Sequence, residues 1–70
     1  MKMLPVDSTH IAAIGHDPST NTLAVTFHRG GTYHYADVPV DKHQALLTAD
    51  SLSEAFRTLV KGQHEHEKQP

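Results

Sequence analysis

The stretch from Thr22 to Tyr35, Thr-Leu-Ala-Val-Thr-Phe-His-Arg-Gly-Gly-Thr-Tyr-His-Tyr, constrains this chain more than any other. Leu23, Val25 and Phe27 alternate with Thr22, Ala24, Thr26 and His28, the period-two pattern of a half-buried strand. Beyond Arg29-Gly30-Gly31 a second alternation sets Tyr33 and Tyr35 against Thr32 and His34. Directly opposed residues share a face, so the side chains fix the register. A two-residue Gly30-Gly31 loop sets Phe27 against His34 and mixes the faces. A three-residue loop, Arg29 to Gly31, sets Phe27 against Tyr33 and Val25 against Tyr35, with Gly31 where a left-handed backbone is needed. The sequence predicts a β-hairpin with that register.

Seventy residues allow one domain. A core this small supplies roughly 3–5 kcal/mol of net stability. With no cysteine, disulfides and thiolate metal sites are excluded. The N-terminal residues Met1 to Asp7 lack the apolar run of a signal peptide and no segment is long enough to span a bilayer, so a cytoplasmic location is expected. Eight acids oppose six bases, a formal charge of −2 with the seven histidines neutral. Partial protonation of those histidines brings the charge towards zero. A nucleic-acid binder normally shows a basic face, whereas the bases here are scattered, which favours a protein partner over RNA or DNA.

Residues 1–8 read as a lead-in, and Thr9 to Gly15 as a first strand. Ile11 and Ile14 are three apart, which pure alternation cannot place on one face: either a β-bulge at Ala12-Ala13 brings both inward, the favoured reading, or one of them covers an edge. Asp17-Pro18-Ser19-Thr20-Asn21 is a turn: Asp bonds its own backbone, Pro presets φ, and Asn accepts a left-handed conformation. After the hairpin, Pro39 ends the sheet and starts a short helix over Val40 to Thr48 with Val40, His43, Leu46 and Leu47 on one side. Ser51-Leu52-Ser53-Glu54 is a capping box. It opens a helix with the stripe Leu52, Ala55, Phe56, Leu59 and Val60, which Gly62 terminates. Residues 63–70 are polar and aperiodic and read as a disordered tail. The expected fold is α+β, a three-stranded antiparallel meander with one or two short helices on one face, forming a single domain over residues 1–62.

The series Asp7-Ser8-Thr9-His10-Ile11, Ile14-Gly15-His16-Asp17, Leu23-x-Val25-x-Phe27, Gly31-Thr32-Tyr33-His34-Tyr35, Val38-Pro39 and Ala49-x-Ser51-x-x-x-x-Phe56 resembles the KTSC domain. That family is similar to the C-terminal extension of some lysyl-tRNA synthetases and also occurs as small stand-alone bacterial and phage proteins. Its Tyr-x-Tyr is matched by Tyr33-His34-Tyr35. Members typically read Gly-Tyr-Asp where this chain has Gly15-His16-Asp17, Ser-x-Gly at Ser51-Leu52-Ser53, and Asn after the Phe, where this chain has Arg57. The company of a tRNA synthetase implies an RNA-binding role.

Tyr33 and Tyr35 are expected in the core with Leu23, Val25, Phe27 and Phe56 rather than as base-stacking platforms. His34 and His28 are expected to face outward as diagonal neighbours, with Thr26 opposite His34 and Thr32 opposite His28. His10 or His16 are the nearest further imidazoles, but no metal-ligand spacing occurs, and neither metal nor cofactor is expected. Arg57 and Lys61, four apart on the last helix, form with Arg29 the one basic cluster the sequence offers. His34, His28, Thr26, Arg29, Arg57 and Lys61 are therefore the candidate partner-binding residues. Ser51 is better used as a helix cap than as a nucleophile, and no Gly-x-Ser-x-Gly or phosphate loop occurs, so a non-enzyme is expected. The leading expectation is an interaction module that binds a protein of the gene-expression machinery, most concretely a regulator, phage-encoded versions included, docking on bacterial RNA polymerase. RNA binding is the alternative, and homo-oligomerisation through the open sheet face a third reading.

Overall fold

The computed structural model describes residues 1–70. It contains strands β1 (Leu4–Pro5), β2 (Ile11–Asp17), β3 (Thr22–Phe27), β4 (Gly31–Tyr35) and β5 (His66–Lys68), and helices α1 (Val40–Thr48) and α2 (Leu52–Leu59). The strands form one antiparallel sheet in the order β1-β2-β3-β4-β5. The class is α+β as expected, but the sheet has five strands rather than three.

The β3–β4 hairpin pairs Leu23 with Tyr35, Val25 with Tyr33 and Phe27 with Gly31. The loop does have three residues, but they are His28 to Gly30, one position earlier than the pattern suggested. Gly30 and Gly31 take φ of +108° and +85°, so two successive glycines complete the reversal sooner. The resulting pairing differs by two residues, which leaves every side chain on its expected face. Gly31 has no side chain opposite Phe27, and the Phe27 ring packs edge-on to Tyr33 at 5.8 Å and to Phe56 at 5.6 Å.

The bulge in β2 lies between Ile11 and Ala13, and it brings Ile11 and Ile14 fully inward. The strand itself is displaced from the expected Thr9–Gly15 to Ile11–Asp17. The turn that follows is held as its residues predict: Asp17 Oδ1 accepts from the Ser19 amide at 3.0 Å and hydroxyl at 2.6 Å, and Asn21 takes φ of 54°.

Both edges of the expected meander are covered by segments with no strand pattern of their own. Leu4 and Pro5 pair with Ile14 and Ala13, and the Val6 amide donates to the Ala12 carbonyl at 3.0 Å. A proline in so short an edge strand blocks further pairing outward. Residues 66–68, expected as part of a disordered tail, pair with β4 instead. The Ala36 amide donates to Glu65 O and the Gln69 amide to Thr32 O, while the His66 ring lies 5.7 Å from Tyr33 and 5.4 Å from Tyr35. The Lys42 ammonium donates to His64 Nε2 at 2.8 Å and to the Leu59 carbonyl at 2.9 Å, and His64 Nδ1 donates to Ala36 O at 2.9 Å. Those bonds fasten the start of β5 to both helices and to the end of β4.

The helices cover the face that carries Leu23 and Val25. Ser51 caps α2, its hydroxyl accepting from the Glu54 amide at 3.3 Å, and Gly62 with φ of +82° turns the chain after the helix. Phe56 from α2, Val60 at its C-cap and Leu46 from α1 close the core with Ile11, Ile14, Leu23, Val25, Tyr35 and Val38. Phe27 and Tyr33 are partly buried against it. The expected apolar side of α1 is split, because Val40 and Leu47 are exposed and only Leu46 is buried. His43 stacks on His16 at 5.1 Å, and His16 Nε2 donates to the Val38 carbonyl at 2.7 Å.

Candidate functional site

Three segments meet at one end of the sheet and leave a cleft of about 700 Å³ between them. They are the approach to β2, the tip of the β3–β4 hairpin and the outer side of α2. Thr9, His10 and Ile11 contribute from the first, Phe27, His28 and Arg29 from the second, and Ser53, Phe56, Arg57 and Lys61 from the third. Phe56 sets the position of α2, because its buried ring wedges edge-on between Phe27 and Tyr35 at 5.6 and 5.3 Å. Arg57, its chain neighbour, is exposed beside the cleft.

Ser8 ties the walls together. Its carbonyl accepts from His28 Nε2 at 3.0 Å, and its hydroxyl shares a 2.6 Å hydrogen bond with Ser53 of α2. The His28 amide also donates to the His10 carbonyl at 3.0 Å. A carbonyl only accepts, so the His28 proton is on Nε2 and its Nδ1 is the nitrogen left free. Lys61 lies past the end of α2, not on a continuous helical face with Arg57 as their spacing suggests. Its amide donates to Phe56 O at 3.0 Å as the chain turns towards Gly62, and that turn carries Lys61 to the same cleft.

The electrostatic result is an uneven distribution. Arg29, Arg57 and Lys61 are three of the six Lys and Arg residues in the chain, and no carboxylate lines the cleft. A chain with formal charge −2 thus concentrates half its fixed positive charge on one concave patch. Such a patch attracts an anion and supplies two planar guanidinium forks suited to phosphate oxygens. Charge scattered along the sequence is gathered in space.

The other candidates lie elsewhere. Thr26 and His34 project from the opposite, helix-free face of the sheet. There the Thr26 hydroxyl bonds Thr32 at 2.8 Å and His34 stands opposite Ala24, not opposite Thr26 as expected. The shifted loop takes His28 off the strand, so it is not a diagonal neighbour of His34 and faces the cleft instead. His10 belongs to the cleft as well, though only the bulge and the Ser8 contacts reveal it, and neither leaves a periodic mark in the sequence. No three of the His, Asp and Glu side chains gather around a metal-sized point. His16 is stacked inside on His43, His28 is bonded to Ser8, and His64 to Lys42 and Ala36.

Residues 7–64 match the family model of the KTSC domain. The chain belongs to the KTSC family. A KTSC domain protein from Yersinia pestis, solved by crystallography, has the same fold at 35% identity, with a TM-score of 0.97 over 99% of this chain and 97% of that one. An uncharacterized protein of Stutzerimonas stutzeri is 41% identical over 64 residues, 91% of this chain and 90% of its own length. A lysine–tRNA ligase of Nostoc is 32% identical over 66 residues, 94% of this KTSC chain but 12% of the ligase. The same module therefore occurs both as a small separate protein and as a minor part of a much larger enzyme. No helix of this KTSC domain is long and apolar enough to cross a membrane.

Proposed function

We propose that this KTSC domain is a non-enzymatic binding module of the gene-expression machinery, acting in the cytoplasm, and that its cleft binds the phosphate backbone of single-stranded RNA. One observation carries this reading: Arg29, Arg57 and Lys61 converge on a concave surface without a carboxylate. Phosphate neutralisation by such residues supplies most of the affinity of proteins for nucleic acids. The half-buried ring of Phe27 and the exposed imidazoles of His10 and His28 offer flat surfaces to unstacked bases. The presence of a similar segment in a lysine–tRNA ligase supports RNA as the ligand.

Fluorescence anisotropy with a labelled oligouridylate and with tRNA, measured at several salt concentrations, tests the reading. Three phosphate contacts on a single strand correspond to a slope of log K against log salt of about −2. R29Q, R57Q and K61Q together should abolish binding while leaving the circular dichroism spectrum unchanged. No binding at low salt, or a triple variant that binds like the parent, overturns it.

A second reading keeps the protein partner. The net charge of −2 and the helix-free face bearing Thr26, Thr32 and His34 favour docking on another protein, for which bacterial RNA polymerase is the most concrete proposal. T26R and H34E on that face should then disrupt a polymerase complex formed from purified components and leave RNA binding intact. Purified polymerase that fails to shift the KTSC domain on size exclusion would dispose of this reading.

A further inference from the structure

We propose that the edge of β4 is a docking site for an extended peptide of a partner protein, and that β5 fills it in cis as a displaceable stand-in. The paired residues of β4 and β5 take no part in lining the basic cleft, so the inference goes beyond the RNA reading and does not depend on it.

The ladder shows how a strand is held there. The Ala36 amide donates to Glu65 O and the Gln69 amide to Thr32 O. Antiparallel alternation then makes His34 and Glu67, which lie between them, a hydrogen-bonded pair. Tyr35 opposes His66 and Tyr33 opposes Lys68 in the non-hydrogen-bonded pairs, where side chains come closest. The His66 ring rests 5.4 Å from Tyr35 and 5.7 Å from Tyr33. The Lys68 stem passes Gly31, its Cε 3.5 Å from where a Cβ would stand.

β5 is a poor match for this seat. All three of its residues are exposed and none is apolar, while Tyr33 beneath it stays half-buried. An added strand binds through its backbone and is selected through alternate side chains. A large aromatic at the His66 position and an aliphatic at the Lys68 position would keep every backbone bond and cover more of the two tyrosine rings. The partner is therefore an extended segment of the pattern aromatic-x-aliphatic. The anchoring lets β5 yield to it. Bonds to Lys42 and Ala36 hold His64 in place, and beyond that point only residues 65–70 must leave, none of which belongs to the core.

Fluorescence anisotropy with the full chain tests the proposal. The probe is a fluorescein-labelled peptide of residues 63–70 carrying His66→Trp and Lys68→Leu. Glu67→Pro in the full chain removes the central N–H of β5 and frees the β4 edge. In the parent, β5 competes from a tether whose effective concentration is about 1 mM, so Glu67→Pro should bind the peptide at least about tenfold more tightly. The same peptide with Glu67→Pro added should bind neither chain, because docking needs that backbone pair. A Glu67→Pro chain that keeps its near-ultraviolet circular dichroism yet binds no peptide, or binds it no better than the parent, overturns the proposal. So does a proline-bearing peptide that binds equally well. If Glu67→Pro does not fold, hydrogen exchange of the parent decides. The His34 amide, protected by β5 alone, should exchange about a hundredfold faster than the hydrogen-bonded amides of β3, and added peptide should slow it. Equal rates would mean that β5 leaves only when the whole domain unfolds, which also overturns the proposal.

Discussion

Gly15 offers the most exacting test of how the N-terminal edge is built. It is buried in β2 with an ordinary backbone, so alanine fits its φ and ψ without strain. What opposes a side chain is proximity, because an added Cβ would lie 2.7 Å from the Lys2 carbonyl oxygen and 2.7 Å from the Met3 sulfur. The methionine can swing away, but the carbonyl belongs to the backbone leading into β1. Gly15→Ala must therefore push that strand off the sheet edge by some tenths of an ångström. Overpacking of this kind costs roughly 1–3 kcal/mol. Against it stands the reduced entropy of the unfolded chain, worth about 0.4–1 kcal/mol when glycine becomes alanine. A net loss of about 1–2 kcal/mol follows, or roughly 5–15 °C in Tm for a domain of this size. The decisive assay is a double-mutant cycle by thermal and urea denaturation, with the substitution repeated in a chain lacking residues 1–5. Without the Lys2 carbonyl the alanine should be neutral or mildly stabilising. An equal loss in both backgrounds, or no loss in the intact chain, refutes the close-approach argument.

Two further outcomes follow from local chemistry. Burial, and secondarily the neighbouring His16, hold His43 below its ordinary value, and its Nε2 is buried without a hydrogen-bond partner. The unfolded chain then takes up a proton that the folded one resists, so stability is full above about pH 6.5 and falls as the pH drops towards the depressed value. His43→Phe should flatten that dependence in urea titrations between about pH 5 and 7. Ser51→Ala removes the one side-chain bond to the first turn of α2 and should cost about 1 kcal/mol by urea denaturation, with Ser51→Thr largely sparing it.

The hairpin, the β2 bulge, the Asp17 turn and the two helix spans were legible because each is specified by neighbours in the chain. The three-residue spacing of Ile11 and Ile14 favoured a bulge over an edge-covering role for one of them, and Ser51 specified an N-cap within one turn, although the Glu54 side chain does not make the return bond of a full capping box. The precise hairpin register was not legible, since Gly30 and Gly31 both tolerate positive φ and side-chain pattern alone cannot distinguish pairings that differ by two residues. The face of α1 was misjudged at Val40 and Leu47, since which apolar residues a short helix buries depends on where its neighbour packs.

By itself, then, the sequence determined the inward-facing set on β2, β3 and β4, the Asp17 turn, the Ser51 cap of α2 and the α+β class. These depend on interactions within a few residues, or on a periodicity that survives any choice of partner. Only the tertiary structure decided the sheet edges, because Leu4–Pro5 and His66–Lys68 become strands by meeting the unpaired backbone groups of β2 and β4 rather than through a pattern of their own. It also decided the site. Arg29, Arg57 and Lys61 act at one point only after Phe56 seats α2 beside the hairpin tip and Ser8 ties the walls of the cleft together.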